Sequence, residues 1–275
     1  MNMPNYLKYY ICVWTALLLI TPMTFAQQKN DSIRILYIGN SYTYYHELPK
    51  MVQSIAANVA LDFRLKISYK AYTPGGCTFK RHLQRPEEIA AIREGNWDYV
   101  VLQEQSALPA MPTEVVQRET YPYARQLDSL VHVYNPQACV IFYMTWGHKD
   151  GCQETPEHYP LISTYQGMQT RLITSYLEMT YQNNAWCAPV GMVWQKIRKE
   201  RPYQTLYWPD RSHPSVLGTY IAANTIFATF FQKPYQATFT AGLDVELAEY
   251  VQQTVQEIVL KNRKLLNLPL STQTD

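Results

Sequence analysis

The chain has 275 residues, of which 47% are hydrophobic and 17% are charged, and its formal net charge at pH 7 is +2. Because the charge is nearly balanced and no run of like charges occurs, nothing in the composition favours binding to nucleic acid or to a membrane surface. The partner we expect is a small molecule, neutral or weakly charged, and a chain of this length suits one large domain.

The first 26 residues have the pattern of a secretory signal peptide. Lys8 precedes an apolar stretch over residues 11–20, and a small-residue pattern typical of a cleavage site ends at Ala26. A membrane helix needs roughly 20 apolar residues, so this stretch of about ten is too short to span a bilayer. We expect cleavage after Ala26, a periplasmic or secreted protein, and a single domain over residues 27–275.

Strand and helix patterns alternate along the rest of the chain. The β-branched and aromatic run at 33–38 predicts a buried strand that ends at Gly39 and Asn40. Further strands are predicted at 63–72, 99–103, 138–146 and 185–190, and helices at 47–59, 113–134, 159–181, 214–231 and 243–266. This alternation is typical of a three-layer α/β fold, in which helices cover both faces of a parallel sheet.

A candidate nucleophile and a candidate base lie at opposite ends of the chain. Ser41, in IGNSYT, follows the carboxyl end of the first strand, where ligands bind in parallel sheets. In YWPDRSHPS, Asp210 lies three residues before His213, a spacing that lets its carboxylate reach Nδ1 and leaves Nε2 free as a base. For loops from both sides to meet at Ser41 the first strand must be central, which predicts a five-stranded parallel sheet in the order 2-1-3-4-5.

These segments resemble the SGNH/GDSL hydrolase superfamily. IGNSYT, the GG of TPGG and DRSHPS are similar to its first, second and last sequence blocks, in the same order. ILYIGNSYTYYHELP, WDYVVLQEQS and MTWG look most like a secreted bacterial branch found among polysaccharide-degrading organisms. The resemblance implies a flavodoxin-like sandwich and hydrolysis of esters, often O-acetyl groups on carbohydrate. Ser41 would be the nucleophile, His213 the general base and Asp210 its partner.

The resemblance also implies an oxyanion hole formed by the backbone N–H groups of Ser41 and Gly76. The superfamily commonly adds an Asn from a Gly-x-Asn-Asp block after its third strand, whereas this chain has LQEQSALP there. A glutamine amide can donate the same hydrogen bond from one methylene further, so we expect Gln103 or Gln105 to take the role; Gln105 is slightly favoured because it is nearer the rim. Glu104 points the opposite way, and a carboxylate beside an apolar strand needs a partner.

A polar loop at 147–158 follows the fourth predicted strand, at the same edge of the sheet as Ser41. Its His148 is a candidate substrate contact. Trp146 and Gly147 form a candidate platform for a sugar ring, although a core tryptophan at a strand end is equally compatible with the pattern.

The other histidines and the cysteines suggest structural roles. His82 and His132 fall in helical or polar surroundings and are predicted to lie on helix surfaces. No metal-ligand spacing occurs, so neither a metal nor a cofactor is expected. Sequence alone does not decide whether or how the four cysteines beyond the signal peptide pair: Cys77, Cys139, Cys152 and Cys187.

The favoured function is a secreted serine esterase that hydrolyses acyl esters, above all O-acetyl esters, on carbohydrate. An O-acetyltransferase could use the same three residues with a sugar hydroxyl as the acceptor. A carbohydrate-binding protein on a degenerate hydrolase scaffold is the non-enzymatic alternative, and the missing Asn is its only support. The sequence does not indicate the oligomeric state.

Overall fold

The structure, a computed structural model, describes residues 32–60, 65–154 and 158–270, and the predicted signal peptide lies outside them. Within these ranges five strands form one sheet: β1 (Ser32–Ile38), β2 (Lys66–Tyr72), β3 (Tyr99–Leu102), β4 (Cys139–Tyr143) and β5 (Trp186–Ala188). Their order across the sheet is β2-β1-β3-β4-β5 and all neighbours run parallel. The predicted strand order is therefore confirmed.

The central strand β1 ends level with both of its neighbours. Ile38, its last residue, pairs with Tyr72 of β2 and with Leu102 of β3. Three loops therefore leave the sheet side by side at its carboxyl edge, and these loops carry most of the predicted site.

Helices cover both faces of this sheet. The described residues form α1 (Ser41–Tyr44), α2 (Leu48–Ala57), α3 (Phe79–His82), α4 (Pro86–Arg93), α5 (Thr113–Glu119), α6 (Tyr121–Tyr134), α7 (Tyr165–Gln182), α8 (Val190–Glu200), α9 (Val216–Phe231) and α10 (Val245–Lys261). Residues 35–38 of β1 are all buried, and because successive strand side chains point to opposite faces, both faces must be covered. This confirms the predicted three-layer architecture.

Helix α9 is enclosed by other elements rather than packed through one face. Its residues 217–230 are all buried, and it contacts α2, α8, α10 and β5. A helix that is apolar all round is typical of such a position. Because α9 is held so firmly, it provides a fixed support for the loop that carries Asp210 and His213 just before it.

The helix predicted over 113–134 is interrupted. The chain forms α5 and α6 instead and leaves helical geometry at Thr120, where φ is −123° and ψ is −61°. Pro122 explains the break, because proline has no N–H to donate and is tolerated only in the first turn of a helix.

The connection from β2 to β3 contains α3 and α4, neither of which the sequence pattern predicts. His82, at the end of α3, is fully buried, so its predicted surface position is wrong. Its Nδ1 contacts the Glu88 carboxylate, which also accepts a 2.6 Å hydrogen bond from Arg85 Nε. The partners of His82 come from the next helix, which a pattern read along one short helix does not show. His132 is half-buried on α6, beside Asp128.

Candidate active site

Ser41, His213 and Asp210 meet above the carboxyl end of β1. Ser41 Oγ lies 2.8 Å from His213 Nε2, and His213 Nδ1 lies 2.6 Å from Asp210 Oδ2. The structure thus brings together all three residues that the sequence singles out, across 172 positions of chain. The arrangement is a hydroxyl, an imidazole able to take its proton, and a carboxylate that orients the imidazole.

The turn after β1 places the hydroxyl. Asn40 has an extended backbone, and its Oδ1 accepts the N–H of Tyr42 as the N-cap of α1. Ser41 is therefore the first residue of that helix and lies where the chain leaves the sheet.

The loop before α9 places the imidazole and the carboxylate. Asp210 Oδ1 accepts the backbone N–H groups of Ser212 at 3.0 Å and of His213 at 2.9 Å, while Oδ2 faces the ring. Arg211 between them has a φ of +69°. The Trp208 N–H donates to the His213 carbonyl at 2.7 Å and closes the loop.

The protonation of Asp210 follows from these bonds. Partial burial acts to raise the pKa of Asp210, but the N–H groups of Ser212 and His213 and the His213 ring outweigh it and lower the pKa from its usual value. The ionised carboxylate favours a proton on His213 Nδ1, which leaves Nε2 as the acceptor for the Ser41 hydroxyl.

Two tyrosine rings pack against the imidazole of His213, and the sequence analysis did not predict these contacts. Tyr45 stacks on His213 with ring centroids 4.3 Å apart and an angle of 16° between the planes. Tyr42 meets the same ring edge-on at 5.5 Å, and its hydroxyl lies 2.7 Å from Ser212 Oγ. The run YTYYH directly after Ser41 is the signal that could have indicated these contacts.

Trp146 is a core residue rather than a sugar platform. It is fully buried, stacked between Tyr42 at 4.5 Å and Trp194 at 4.0 Å, and its Nε1 donates to the Ser212 carbonyl at 3.0 Å. Gly147 is buried too, with its N–H bonded to Gln169. Since no face of Trp146 is free, its proposed contact with a sugar ring is wrong. Trp146 instead supports the loop that carries His213, the candidate base.

His148 remains a candidate substrate contact. It is half-buried, and its Nε2 lies 3.4 Å from Ser106 Oγ. Burial lowers the pKa of His148, which favours the neutral imidazole. The loop that it begins is held against the loop of the base, because the Lys149 N–H donates to the Arg211 carbonyl at 2.8 Å and Asp150 forms an ion pair with Arg211.

Gln103 has a different role from the predicted oxyanion donor. Its Oε1 accepts the Asn40 N–H at 3.0 Å and the Thr43 hydroxyl at 2.9 Å, and its amide nitrogen donates to Asn40 Oδ1 and the Glu104 carbonyl. Both amide hydrogens therefore have partners. The side chain is fully buried and fixes Asn40 instead.

Gln105 keeps an available amide. Its Oε1 accepts the N–H groups of Ala107 and Leu108, whereas its nitrogen has only a 3.4 Å contact with Ser106 Oγ. Gly76 lies in an exposed turn at φ +60°, a conformation that favours glycine, although a Cβ there would meet no atom within 4 Å. The need for glycine at this position is therefore conformational.

Residues 32–60, 65–154 and 158–270 contain neither a disulfide nor a group of metal ligands. Cys77, Cys139, Cys152 and Cys187 are free thiols. Within the same ranges no three His, Cys, Asp or Glu side chains are grouped as a metal site would require, and no helix is long and apolar enough to cross a membrane.

The chain has the three-layer fold of the SGNH/GDSL hydrolases. A protein from Slackia heliotrinireducens, described provisionally as an SGNH hydrolase, is similar with a TM-score of 0.59 and 24% identity, over 72% of this chain and 99% of its own. A DUF4886 family protein from Bacteroides uniformis gives a TM-score of 0.64 at 17% identity, over 88% of this chain and 98% of its own. A lipase/acylhydrolase from Enterococcus faecalis gives 0.50 at 18%, over 74% and 100%. No protein-family model and no curated protein matches the sequence.

Proposed function

We propose that this protein is a serine hydrolase of the SGNH/GDSL type that cleaves carboxylic esters. The observation that carries the proposal is the hydrogen-bonded series from Ser41 Oγ through His213 to Asp210. The fold supports it, because the solved structures similar to this chain include a lipase/acylhydrolase.

The geometry fits an acyl-enzyme reaction. His213 Nε2 takes the proton of Ser41 as Oγ attacks the ester carbonyl carbon, and the Ser41 and Gly76 N–H groups, with the Gln105 amide, would bind the resulting oxyanion. His213 then gives the proton to the departing alcohol as the C–O bond breaks. Water, deprotonated by the same nitrogen, attacks the acyl-serine. His213 then returns this proton to Ser41 Oγ as the bond between the acyl carbon and Oγ breaks, which releases the carboxylic acid and the free enzyme.

Covalent labelling and ester turnover test this proposal together. A fluorophosphonate should add once per chain, at Ser41 by peptide mass spectrometry, and Ser41→Ala should abolish both labelling and the hydrolysis of p-nitrophenyl acetate. Ser54→Ala, which removes a hydroxyl from α2, is the matched control and should react as the wild type does. Ester cleavage that survives in Ser41→Ala would contradict the proposal.

We further propose that the ester is carried by a carbohydrate and is most often acetyl. Two exposed rings lie beside Tyr45, the ring that stacks on His213: Tyr44 is 67% and Trp208 is 48% exposed. Both approach Tyr45 edge-on, with centroids 6.4 Å and 6.3 Å away. Flat aromatic faces of this kind can stack on sugar rings, and they replace Trp146 as the candidate platform.

A panel of acetylated polysaccharides, assayed for free acetate, tests the carbohydrate proposal. Trp208→Ala should lower turnover of the polysaccharide several-fold and leave p-nitrophenyl acetate hydrolysis nearly unchanged. Tyr134→Ala is the control, because this 40% exposed ring ends α6, at the opposite edge of the sheet. Acetyl transfer to an added sugar in place of acetate release would indicate a transferase.

We also propose that the protein acts in the periplasm or outside the cell. The support is the signal-peptide pattern over residues 1–26. Amino-terminal sequencing of the exported protein should begin at Gln27, and a protein retained intact in the cytoplasm would contradict this proposal.

A further inference from the structure

Glu104 is a fully buried carboxylate that has no cationic partner among the described residues. It lies two residues beyond the end of β3, between the two glutamines considered for the oxyanion hole. A buried carboxylate without a counter-charge is costly, and its retention calls for a physical reason.

Its carboxylate joins two of the loops at the carboxyl edge of the sheet. Oε1 accepts the Phe79 N–H at 3.0 Å and the Gln105 N–H at 2.7 Å, and Oε2 lies 3.2 Å from the same Phe79 nitrogen. Phe79 begins α3, three residues after Gly76. Gln105 begins the loop after β3.

Asn40 extends the connection to the third loop. Its Nδ2 donates to the Cys77 carbonyl at 3.1 Å and to the Glu104 carbonyl at 3.3 Å. Because Asn40 directly precedes Ser41, the loops after β1, β2 and β3 are all bonded to one another. We call these bonds of Asn40 and Glu104 the loop junction.

The electrostatics indicate a neutral carboxyl group near pH 7. Burial raises the pKa of Glu104 to about 8, although the hydrogen bonds from Gln105 and Phe79 act to lower it. Oε1 accepts both N–H groups, and the two lone pairs of a carbonyl oxygen are sufficient for this when Oε2 carries the proton.

We propose that Glu104 is a positioning residue for ester cleavage. It holds the loop that contains Gly76 against the loop that contains Gln105, next to the turn that carries Ser41. This inference rests on the proposed function. Glu104 contacts neither Ser41 nor His213 and takes no proton in the reaction. It keeps the backbone N–H groups that bind the oxyanion at a fixed distance from the nucleophile, and such donors act mainly in the transition state.

Kinetics of Glu104→Ala test this role. Alanine removes Oε1, which accepts both the Phe79 N–H and the Gln105 N–H, so both bonds are lost. We expect kcat for p-nitrophenyl acetate to fall about 10-fold to 100-fold, somewhat less than the loss of an oxyanion donor itself, with KM nearly unchanged. Asp128→Ala is the matched control, because it removes another buried carboxyl group on α6, away from the loop junction, and should leave kcat unchanged.

Hydrogen exchange supplies a second readout that needs no substrate. Amides of residues 75–80 should exchange faster in Glu104→Ala than in the wild type, and no faster in Asp128→Ala. If Glu104→Ala does not fold, Asn40→Ala removes the other arm of the loop junction, and the same faster exchange at 75–80 is expected.

A folded Glu104→Ala with kcat within two-fold of the wild type and unchanged exchange at 75–80 would overturn the inference. So would a rise in KM at constant kcat, since that would place the effect on substrate binding. Absence of esterase activity in the wild type would refute the proposed function, while unchanged exchange at 75–80 would separately refute the loop junction.

Discussion

At the scale of single residues, Asp210 is the clearest test of how the base is oriented. Asp210→Asn keeps the shape but turns an amide toward His213 Nδ1, which favours the tautomer that cannot accept the Ser41 proton. We expect kcat to fall by ~10³-fold to 10⁴-fold near neutral pH. Asp150→Asn is the control, since it removes a carboxylate from an exposed ion pair nearby and should change kcat little. Similar kinetics in the two variants would exclude an orienting role for Asp210.

Substitutions of the two glutamines should change different quantities: the free energy of unfolding for Gln103 and kcat for Gln105. Gln103→Ala leaves the buried Asn40 N–H and Oδ1 without their amide partner, and should lower the free energy of unfolding by about 1–3 kcal/mol, measured by urea denaturation. Gln105→Ala should lower kcat with little change in KM and little change in stability. A fall in kcat at unchanged stability in Gln103→Ala, with a loss of stability in Gln105→Ala, would instead assign the oxyanion role to Gln103.

The two glutamines also show which contacts cannot be predicted from the sequence. Alternation along a strand places Gln103 and Gln105 on one side, but β3 ends at Leu102, and beyond that point strand geometry no longer governs direction. The pairing of Ser41 with His213 could be anticipated because each stands at the end of a predicted element. The contacts of Gln103 with Asn40 and Thr43 could not, because these residues lie at the turn after β1 and in α1, 60 or more positions away, and no side-chain pattern marks them as its partners.

At the scale of elements, a column of three rings supports the loop of the base. Tyr42, Trp146 and Trp194 stack in parallel, with angles of 3° and 5° between successive planes. Trp146→Phe keeps an aromatic ring but removes the hydrogen bond to the Ser212 carbonyl, so we expect a loss of about 1 kcal/mol and a decrease in Tm of about 2–4 °C. Turnover of acetylated polysaccharide and of p-nitrophenyl acetate should change in the same proportion. If only the turnover of the polysaccharide decreased, the result would instead support stacking of a sugar ring on Trp146.

The elements that sequence predicts well are those with long, regular patterns. The apolar runs of β1, β4 and α9 identify the core of the sheet and its central helix. Trp146 illustrates the limit: it follows such a run, and a tryptophan at that position can face either the core or the solvent. Only the packing of α8, which supplies Trp194, decides between them.

At the scale of the whole molecule, the alternation of strands and helices determines the layers, and the position of Ser41 constrains the strand order. A central first strand is the arrangement that lets a loop from the far end of the chain reach the nucleophile. The short helices α3 and α4 were not predicted, because the segment is rich in charged residues and has little apolar periodicity. That segment nevertheless carries the Phe79 N–H to which Glu104 is bonded.

The pH dependence of global stability should report the buried Glu104. Its pKa is raised from 4.5 to about 8 in the folded protein, so between these values the folded state holds a proton that the unfolded chain releases. The contribution of Glu104 to stability is therefore fully present below about pH 4.5 and is lost as the pH rises toward 8. The Tm of the wild type should fall relative to that of Glu104→Gln, which cannot titrate, across this window. Glu119→Gln is the control. Hydrogen bonds from Arg118 and Lys80 lower the pKa of Glu119, so this residue does not titrate in the window, and the Tm of the variant should run parallel to that of the wild type. Parallel curves for Glu104→Gln would mean that Glu104 is already ionised throughout this range.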